Sequence, residues 1–210
     1  MWSPERRAGS AKIFGPAVTV KMVLASDTAT PTPARHFVDC NEKGKVMFVQ
    51  QPKGLYSACW GGLMSTRAKV LGAAGVIIDG KFRDIGEHRE LGFPVQNPSQ
   101  IPPSSFTRPL LTRCMYLCTQ LFAREMSILG SNTFTKASEI NVPLQFKGDL
   151  WINPDDLVVG DADGVVVVPP SLAEKVVALC EERAEIDKKT IEALLNGAEM
   201  GPTIKQLRKQ

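Results

Sequence analysis

The sequence predicts an α/β protein: a single-domain layered α/β sandwich with mixed β-sheets. Three observations carry this expectation. A strand, a helix and a second strand follow one another between Ser57 and Phe82, the order of a βαβ unit. The C-terminal third is a series of short β-rich runs separated by turns. From Ser171 the pattern becomes that of one long amphipathic helix. A chain of 210 residues buries one good-sized core, so a single domain over 1–210 is the natural reading.

Taken in order, residues 13–24 (IFGPAVTVKMVL) alternate apolar and polar after a Gly-Pro break and read as a strand. Ser26–Pro33 is a Ser/Thr/Pro loop, residues 34–40 a short helix or turn, and Lys45–Gln50 a second strand. After the turn Gln51-Pro52-Lys53-Gly54, Ser57–Trp60 reads as a short buried strand. Gly61-Gly62 then opens a helix that stops at Gly72, the residue type that tolerates the left-handed C-terminal position. Val76–Ile78 is an apolar run between glycines, typical of a strand covered on both faces. Ile85–Leu91 has helical spacing and ends at Gly92.

Further on, Ile140–Phe146, Leu157–Val159 and Gly164–Val168 are β-rich, with Asp161 and Asp163 in a tight turn between the last two. Ser171 and Glu174 form a capping box for a C-terminal helix over 171–195. Residues 96–121 fit none of this. They carry four prolines and no periodicity, and unstructured insertions of that length are uncommon inside a compact domain.

Composition excludes several classes. With 43% apolar and 22% charged residues the chain reads as globular. The net charge of +3 comes from scattered basic residues, which gives no electrostatic footprint for nucleic acid. No apolar run approaches the roughly 18 residues of a membrane span, and MWSPERRAGSAK has no apolar signal core. The five cysteines read as free thiols of a reducing, cytoplasmic compartment. Cys114-x3-Cys118 has no second Cys/His pair to complete a zinc site.

The stretch with chemical character is Tyr56–Pro94. Arg83-Asp84 follows the end of a buried strand, and this pairing suits a site for an anion and a metal. Gly61, Gly62, Leu63 and Met64 open a helix whose free N–H groups and dipole favour a carboxylate. Each residue also has a purely structural reading. Asp84 stands where a helix N-cap would, Arg83 has Glu87 at i+4 as an ion-pair partner, and Gly61-Gly62 makes a tight turn. His88 reads as a solvent-facing helix residue, and Asp79 as structural.

With these motifs laid out, the chain resembles the RraA-like family, which includes 4-hydroxy-4-methyl-2-oxoglutarate aldolases. The resemblance rests on GPAVTVKMV, on G-x-x-G-V-x-x-D-G-x-x-R-D from Gly72 to Asp84, and on N-P-x-D-L-V-x-G-D-x-D-G-V-V-V-x-P from Asn153 to Pro169. It implies a swivelling β/α-type fold, assembled as a homotrimer or hexamer with sites at subunit contacts. It also implies a lyase that cleaves 4-hydroxy-4-methyl-2-oxoglutarate to pyruvate and decarboxylates oxaloacetate with Mg²⁺ or Mn²⁺. The matching positions make Asp84 the metal ligand, Arg83 the catalytic arginine that also binds substrate, and the Gly61–Met64 amides the carboxylate site. The alternative on the same scaffold is a non-catalytic regulator, like the family's ribonuclease E regulator.

Two departures stand out. About a dozen residues precede the GPAVTV strand, where relatives carry a longer helical segment. Relatives also run unbroken through a strand like FPVFARG; here FPV ends at Val95 and FAR resumes at Phe122, so 96–121 is expected to be a retained intron, which transcript sequencing decides. A third difference touches the chemistry. Many family aldolases carry an acidic residue separated by twenty residues from the Arg-Asp pair, where this chain has Gly62. Glu87, Glu90 or a neighbouring subunit's carboxylate is the expected substitute.

Overall fold

The computed structural model describes residues 12–91, 120–161 and 163–208. The chain divides into two compact units, Met1–Val167 and Val168–Gln210.

The first unit is built on β1 (Ile13–Leu24), β2 (Val46–Gln50), β3 (Gly75–Phe82) and β4 (Gln120–Met126). These pair in parallel in sequence order, with Phe48 opposite Ile77 and Ile77 opposite Phe122. β5 (Thr135–Ile140) and β8 (Leu157–Gly160) pair antiparallel to different parts of β1, and β9 (Val165–Val168) extends the sheet beyond β8. The long β1 is thus shared by three partners, and the sheet is mixed as expected.

Alternation along these strands splits the core in two. Val18, Val20, Met47, Val49, Val76, Ile78 and Ala123 belong to one apolar cluster. Ala17, Val46, Phe48, Ile77 and Phe122 belong to the other. The first is covered by α1 (Gly62–Val70), α2 (Ile85–Glu90) and a 3-10 turn at Phe37–Cys40, through Ala68, Ile85, Phe37 and Val38. The second is covered by the β6 (Leu144–Lys147) and β7 (Leu150–Ile152) hairpin, through Leu144, Ile152 and Phe146. Because both faces are covered, β2 and β3 read as continuous apolar runs rather than alternating ones. Each large side chain buried here contributes about 1.5–3 kcal/mol.

Helix α1 ends with Gly72 in the left-handed region at φ 75°. The run expected over Ile140–Phe146 is instead two strands. Asn141 takes φ 55° and Pro143 follows, so β5 ends at Ile140 and β6 starts at Leu144. Ser57–Trp60 is buried but makes only an isolated parallel bridge, from Trp60 to Phe82. Gln120 and Leu121 lie in β4; the rest of the 96–121 segment falls outside the described residues.

The second unit holds a 3-10 turn at Pro170–Leu172, α3 (Ala173–Leu195) and α4 (Met200–Leu207). The capping box does not form: Ser171 lies within the 3-10 turn, Leu172 is the N-cap residue of α3, and no side chain caps it. α4 was not anticipated, since MGPTIKQL carries a glycine and a proline. Arg208 ties it to α3 through Asp187 at 2.5 Å. Among the described residues no helix is long and apolar enough to cross a membrane.

Candidate functional site

The carboxyl ends of parallel strands are where open α/β sheets place ligands. β3 ends at Phe82, and Arg83-Asp84 follows it directly. The backbone there is fixed from two sides. Arg83 N–H donates to the Trp60 carbonyl at 3.0 Å, and His88 Nε2 donates to the Arg83 carbonyl at 2.8 Å.

Asp84 occupies the N-cap position of α2 but does not cap it. Its backbone is left-handed, φ 67° and ψ 46°, and its side chain makes no capping bond. Oδ2 accepts instead from the Gly62 N–H at 3.0 Å, at the start of α1. Arg83 Nε sits 3.3 Å from the same oxygen, and no Arg83–Glu87 ion pair forms among the described residues. Asp84 thus ties the end of β3 to the start of α1 instead of capping α2, and Arg83 pairs with Asp84 rather than with Glu87. Arg83 is half exposed and Asp84 about a quarter exposed.

Glycine leaves room for a neighbouring carboxylate at two points in this arrangement. A Cβ at Gly61 would lie 2.6 Å from Asp84 Oδ2 and 3.2 Å from Arg83 Nε. A Cβ at Gly62 would lie 1.7 Å from Glu87 Oε2. Glu87 thus occupies the space above the position where relatives carry an acid. Gly130 lets the Arg83 guanidinium pass, since a Cβ there would stand 3.1 Å from Nη1.

The four amides expected for a carboxylate are not equivalent. Gly62 gives its N–H to Asp84, and Met64 gives its N–H to the Gly61 carbonyl at 3.1 Å. Leu63 keeps the first-turn N–H that no helical carbonyl can reach. The resulting cleft, about 280 Å³, is lined by Trp60, Gly61, Leu63, Met64, Arg83 and Asp84 with Ser131 and Asn132 opposite.

Two further residues behave differently from expectation. His88 is buried, 3% exposed, rather than solvent-facing. Burial holds its pKa below the usual imidazole value, against the opposing pull of its bond to the Arg83 carbonyl. The signal was present: His88 shares a face at i+3 with Ile85, and both Ile85 and Leu91 pack on the core. Asp79 is structural as expected, 5% exposed and paired with Arg124. Cys40, Cys59 and Cys180 are free thiols, and burial pushes Cys59 up to about 12; Cys114 and Cys118 lie outside the described residues.

Among the described residues no three His, Cys, Asp or Glu side chains gather into a metal cage. The donor set instead suits a hard cation that keeps most of its waters. Asp84 offers an oxygen ligand, and Glu87 places a second carboxylate over the same helix start. Mg²⁺ needs no more than one or two such groups. The residues present fit it.

The profile of the RraA-like family (Aldolase/RraA) matches residues 3–109 and 112–167. An uncharacterised protein of Methanocaldococcus jannaschii is 29% identical over 90% of this chain and 76% of its own. A Halalkalibacterium halodurans protein, provisionally named a 4-hydroxy-4-methyl-2-oxoglutarate aldolase, is 29% identical over 84% of this chain and 69% of its own. Among solved structures, an uncharacterised Pseudomonas syringae protein superposes with a TM-score of 0.68 at 24% identity, over 97% of this chain and 81% of that one. Streptomyces coelicolor RraAS2, described as an unusual member of the RNase ES inhibitor RraA family, gives 0.64 at 22%, over 86% and 77%. At these identities the structural likeness speaks for the fold alone. With its profile covering well over half of the sequence, the chain belongs to the RraA-like family.

Proposed function

We propose that this protein is a divalent-metal-dependent lyase. It would cleave 4-hydroxy-4-methyl-2-oxoglutarate to pyruvate and decarboxylate oxaloacetate, through a shared pyruvate enolate. The observation that carries this reading is the Asp84 carboxylate, turned away from capping α2 and held with Arg83 over the start of α1.

In both reactions the C3–C4 bond of a 2-oxo acid breaks and its electron pair moves toward the 2-oxo oxygen. A cation such as Mg²⁺ or Mn²⁺, held by Asp84, supplies Lewis-acid polarisation of that oxygen. Arg83 binds the substrate: its planar guanidinium matches a carboxylate and the developing enolate better than lysine does. The Leu63 amide and the α1 dipole hold the C1 carboxylate. In this reading Glu87 moves the protons: in aldol cleavage it takes the C4 hydroxyl proton, and it returns one to C3 to release pyruvate. What supports the choice of Glu87 is that a Cβ on Gly62 would meet its carboxylate.

A non-catalytic binding protein on the same scaffold is the rival, and Gly62 is what favours it. Assembly as a homotrimer or hexamer and a cytoplasmic setting belong to the proposal; Tyr56 (79% exposed), Leu63 (82%) and Ile128 (95%) are apolar surface that supports the assembly. The deciding experiment follows pyruvate release from both substrates, with and without EDTA, in wild type, Asp84→Ala and Glu87→Gln. Turnover is expected to vanish with EDTA and in Asp84→Ala, and to fall at least a hundredfold in Glu87→Gln. A wild-type protein that binds Mg²⁺ and pyruvate but turns over neither substrate would establish the rival.

A further inference from the structure

A second cleft, about 390 Å³, adjoins the one described above and shares Met64, Ser131 and Asn132 with it. Its far wall comes from two places distant in sequence. Arg35 and His36 precede the 3-10 turn at Phe37, and Thr135 and Lys136 open β5. These are brought together because β5 pairs back on the end of β1, Lys136 opposite Val23.

The charges of this wall are unbalanced. Among the described residues neither Arg35 nor Lys136 forms an ion pair with a carboxylate. Asp39, near Arg35 in the chain, is taken by Arg67 at 2.6 Å. Lys136 Nζ reaches only the Thr30 carbonyl, at 3.4 Å, and Arg35 only the Cys40 sulfur, at 3.9 Å. Arg35 and Lys136, neither within ion-pair distance of a carboxylate among the described residues, fit an anion, and a carboxylate is the anion that a neighbouring 2-oxo acid site would present.

We infer that the Arg35–Lys136 cleft is the subsite for the C5 carboxylate of 4-hydroxy-4-methyl-2-oxoglutarate, and that Arg35 and Lys136 are the residues that favour a five-carbon dicarboxylic chain over a monocarboxylic 2-oxo acid. This rests on reading the Arg83–Asp84 cleft as the 2-oxo acid site. The C1 end lies on Arg83 and the α1 amides, the chain passes Met64 and Asn132, and the second carboxylate meets Arg35 and Lys136. Both are specificity residues: the C5 carboxylate they would hold is not part of the C3–C4 bond that breaks. Loss of their charge weakens binding of the longer acid and leaves the pyruvyl end untouched.

The test is calorimetric titration of the full chain, in Mg²⁺, with 2-oxoglutarate and with pyruvate. 2-Oxoglutarate has the five-carbon chain and both carboxylates of 4-hydroxy-4-methyl-2-oxoglutarate without its C4 hydroxyl and methyl groups, and no β-carboxylate, so it binds without reacting. Wild type, Arg35→Ala/Lys136→Ala and Arg83→Ala are compared, with Arg35→Gln and Lys136→Met as milder single variants. Wild type is expected to bind 2-oxoglutarate at least tenfold tighter than pyruvate. The double variant should lose that advantage while its pyruvate affinity, which also reports that the site is folded, stays within twofold. Equal affinity of wild type for the two acids, or an equal loss of both in all the Arg35 and Lys136 variants, overturns the subsite and leaves the 2-oxo acid site standing. Absence of pyruvate binding in wild type, or pyruvate affinity unaffected by Arg83→Ala, overturns the underlying reading and the subsite with it.

Discussion

Replacing Gly61 with alanine tests whether the carboxylate of Asp84 must sit where it does. The backbone at Gly61 is extended, φ −147° and ψ −177°, so alanine is conformationally acceptable there and the fold is not strained. The side chain is what conflicts. The new Cβ would stand 2.6 Å from Asp84 Oδ2, whereas ordinary contact begins at about 3.4 Å. The carboxylate must retreat by roughly 0.8 Å, the difference of those two values. Its bond from the Gly62 N–H is 3.0 Å; lengthened by that amount it passes about 3.2 Å, the usual limit for such bonds. A hydrogen bond to a charged group contributes about 1.5–3 kcal/mol, or roughly ten- to hundredfold in whatever depends on that carboxylate. The expected result is a drop of that size in kcat/KM for oxaloacetate and a weaker Mg²⁺ requirement curve. The same lost bond should lower the folding free energy by up to about 1.5–3 kcal/mol, on top of the few tenths that separate glycine from alanine near a cap. If Gly61→Ala retains turnover within twofold while Asp84→Ala is inactive, the position of the carboxylate is not set by this contact and the reasoning fails.

Arg124→Ala should destabilise the first unit by about 3 kcal/mol, the lower part of the range for a broken buried pair because Arg124 itself is half exposed. It leaves Asp79, which is 5% exposed, with the long 3.5 Å bond from Gln50 Nε2 in place of an ion pair, and a denaturant midpoint unchanged from wild type would show that this bond suffices. His88 makes stability pH-dependent. Its native pKa is depressed by burial below 6.5, so between the two values the unfolded chain binds a proton that the native chain does not. Its contribution is complete above pH 6.5 and is lost as pH falls through that window. Wild type should therefore lose more stability than His88→Gln between pH 7 and pH 5, and parallel curves for the two would contradict this.

The parts of the fold written in local sequence were legible. β1, β2, β3 and α1 follow from alternation, apolar runs and the left-handed Gly72, because each is dictated by residues within one element. The break at Asn141 was not, since β5 and β6 are separated by a backbone conformation that residue type only permits. α4 carries Gly201 and Pro202 and takes its stability from α3, which no local pattern records. In the site, Arg83 and Asp84 were found by their place after a strand. That Glu87 and not Glu90 lies over Gly62 depends on the packing of α2 on the start of α1, which neither segment records by itself. The Arg35–Lys136 cleft needed the pairing of β5 with β1, and nothing in either segment alone points to it.

Asp84 joins these strands of argument. An aspartate at an N-cap ordinarily takes an extended backbone and accepts from the helix it precedes, which contributes about 1 kcal/mol. Here it forgoes that bond and adopts a left-handed backbone at φ 67°, a conformation that costs on the order of 1 kcal/mol for a residue with a Cβ. The carboxylate is not compensated by burial, since it stays about a quarter exposed. What the conformation achieves is direction: it turns Oδ2 toward Gly62 and Arg83 instead of along α2. The glycines at 61 and 62 then leave room for that oxygen and for Glu87. A strained backbone, a forgone cap and two bare helix-start positions all point the same way, toward an acidic site built at the expense of local stability.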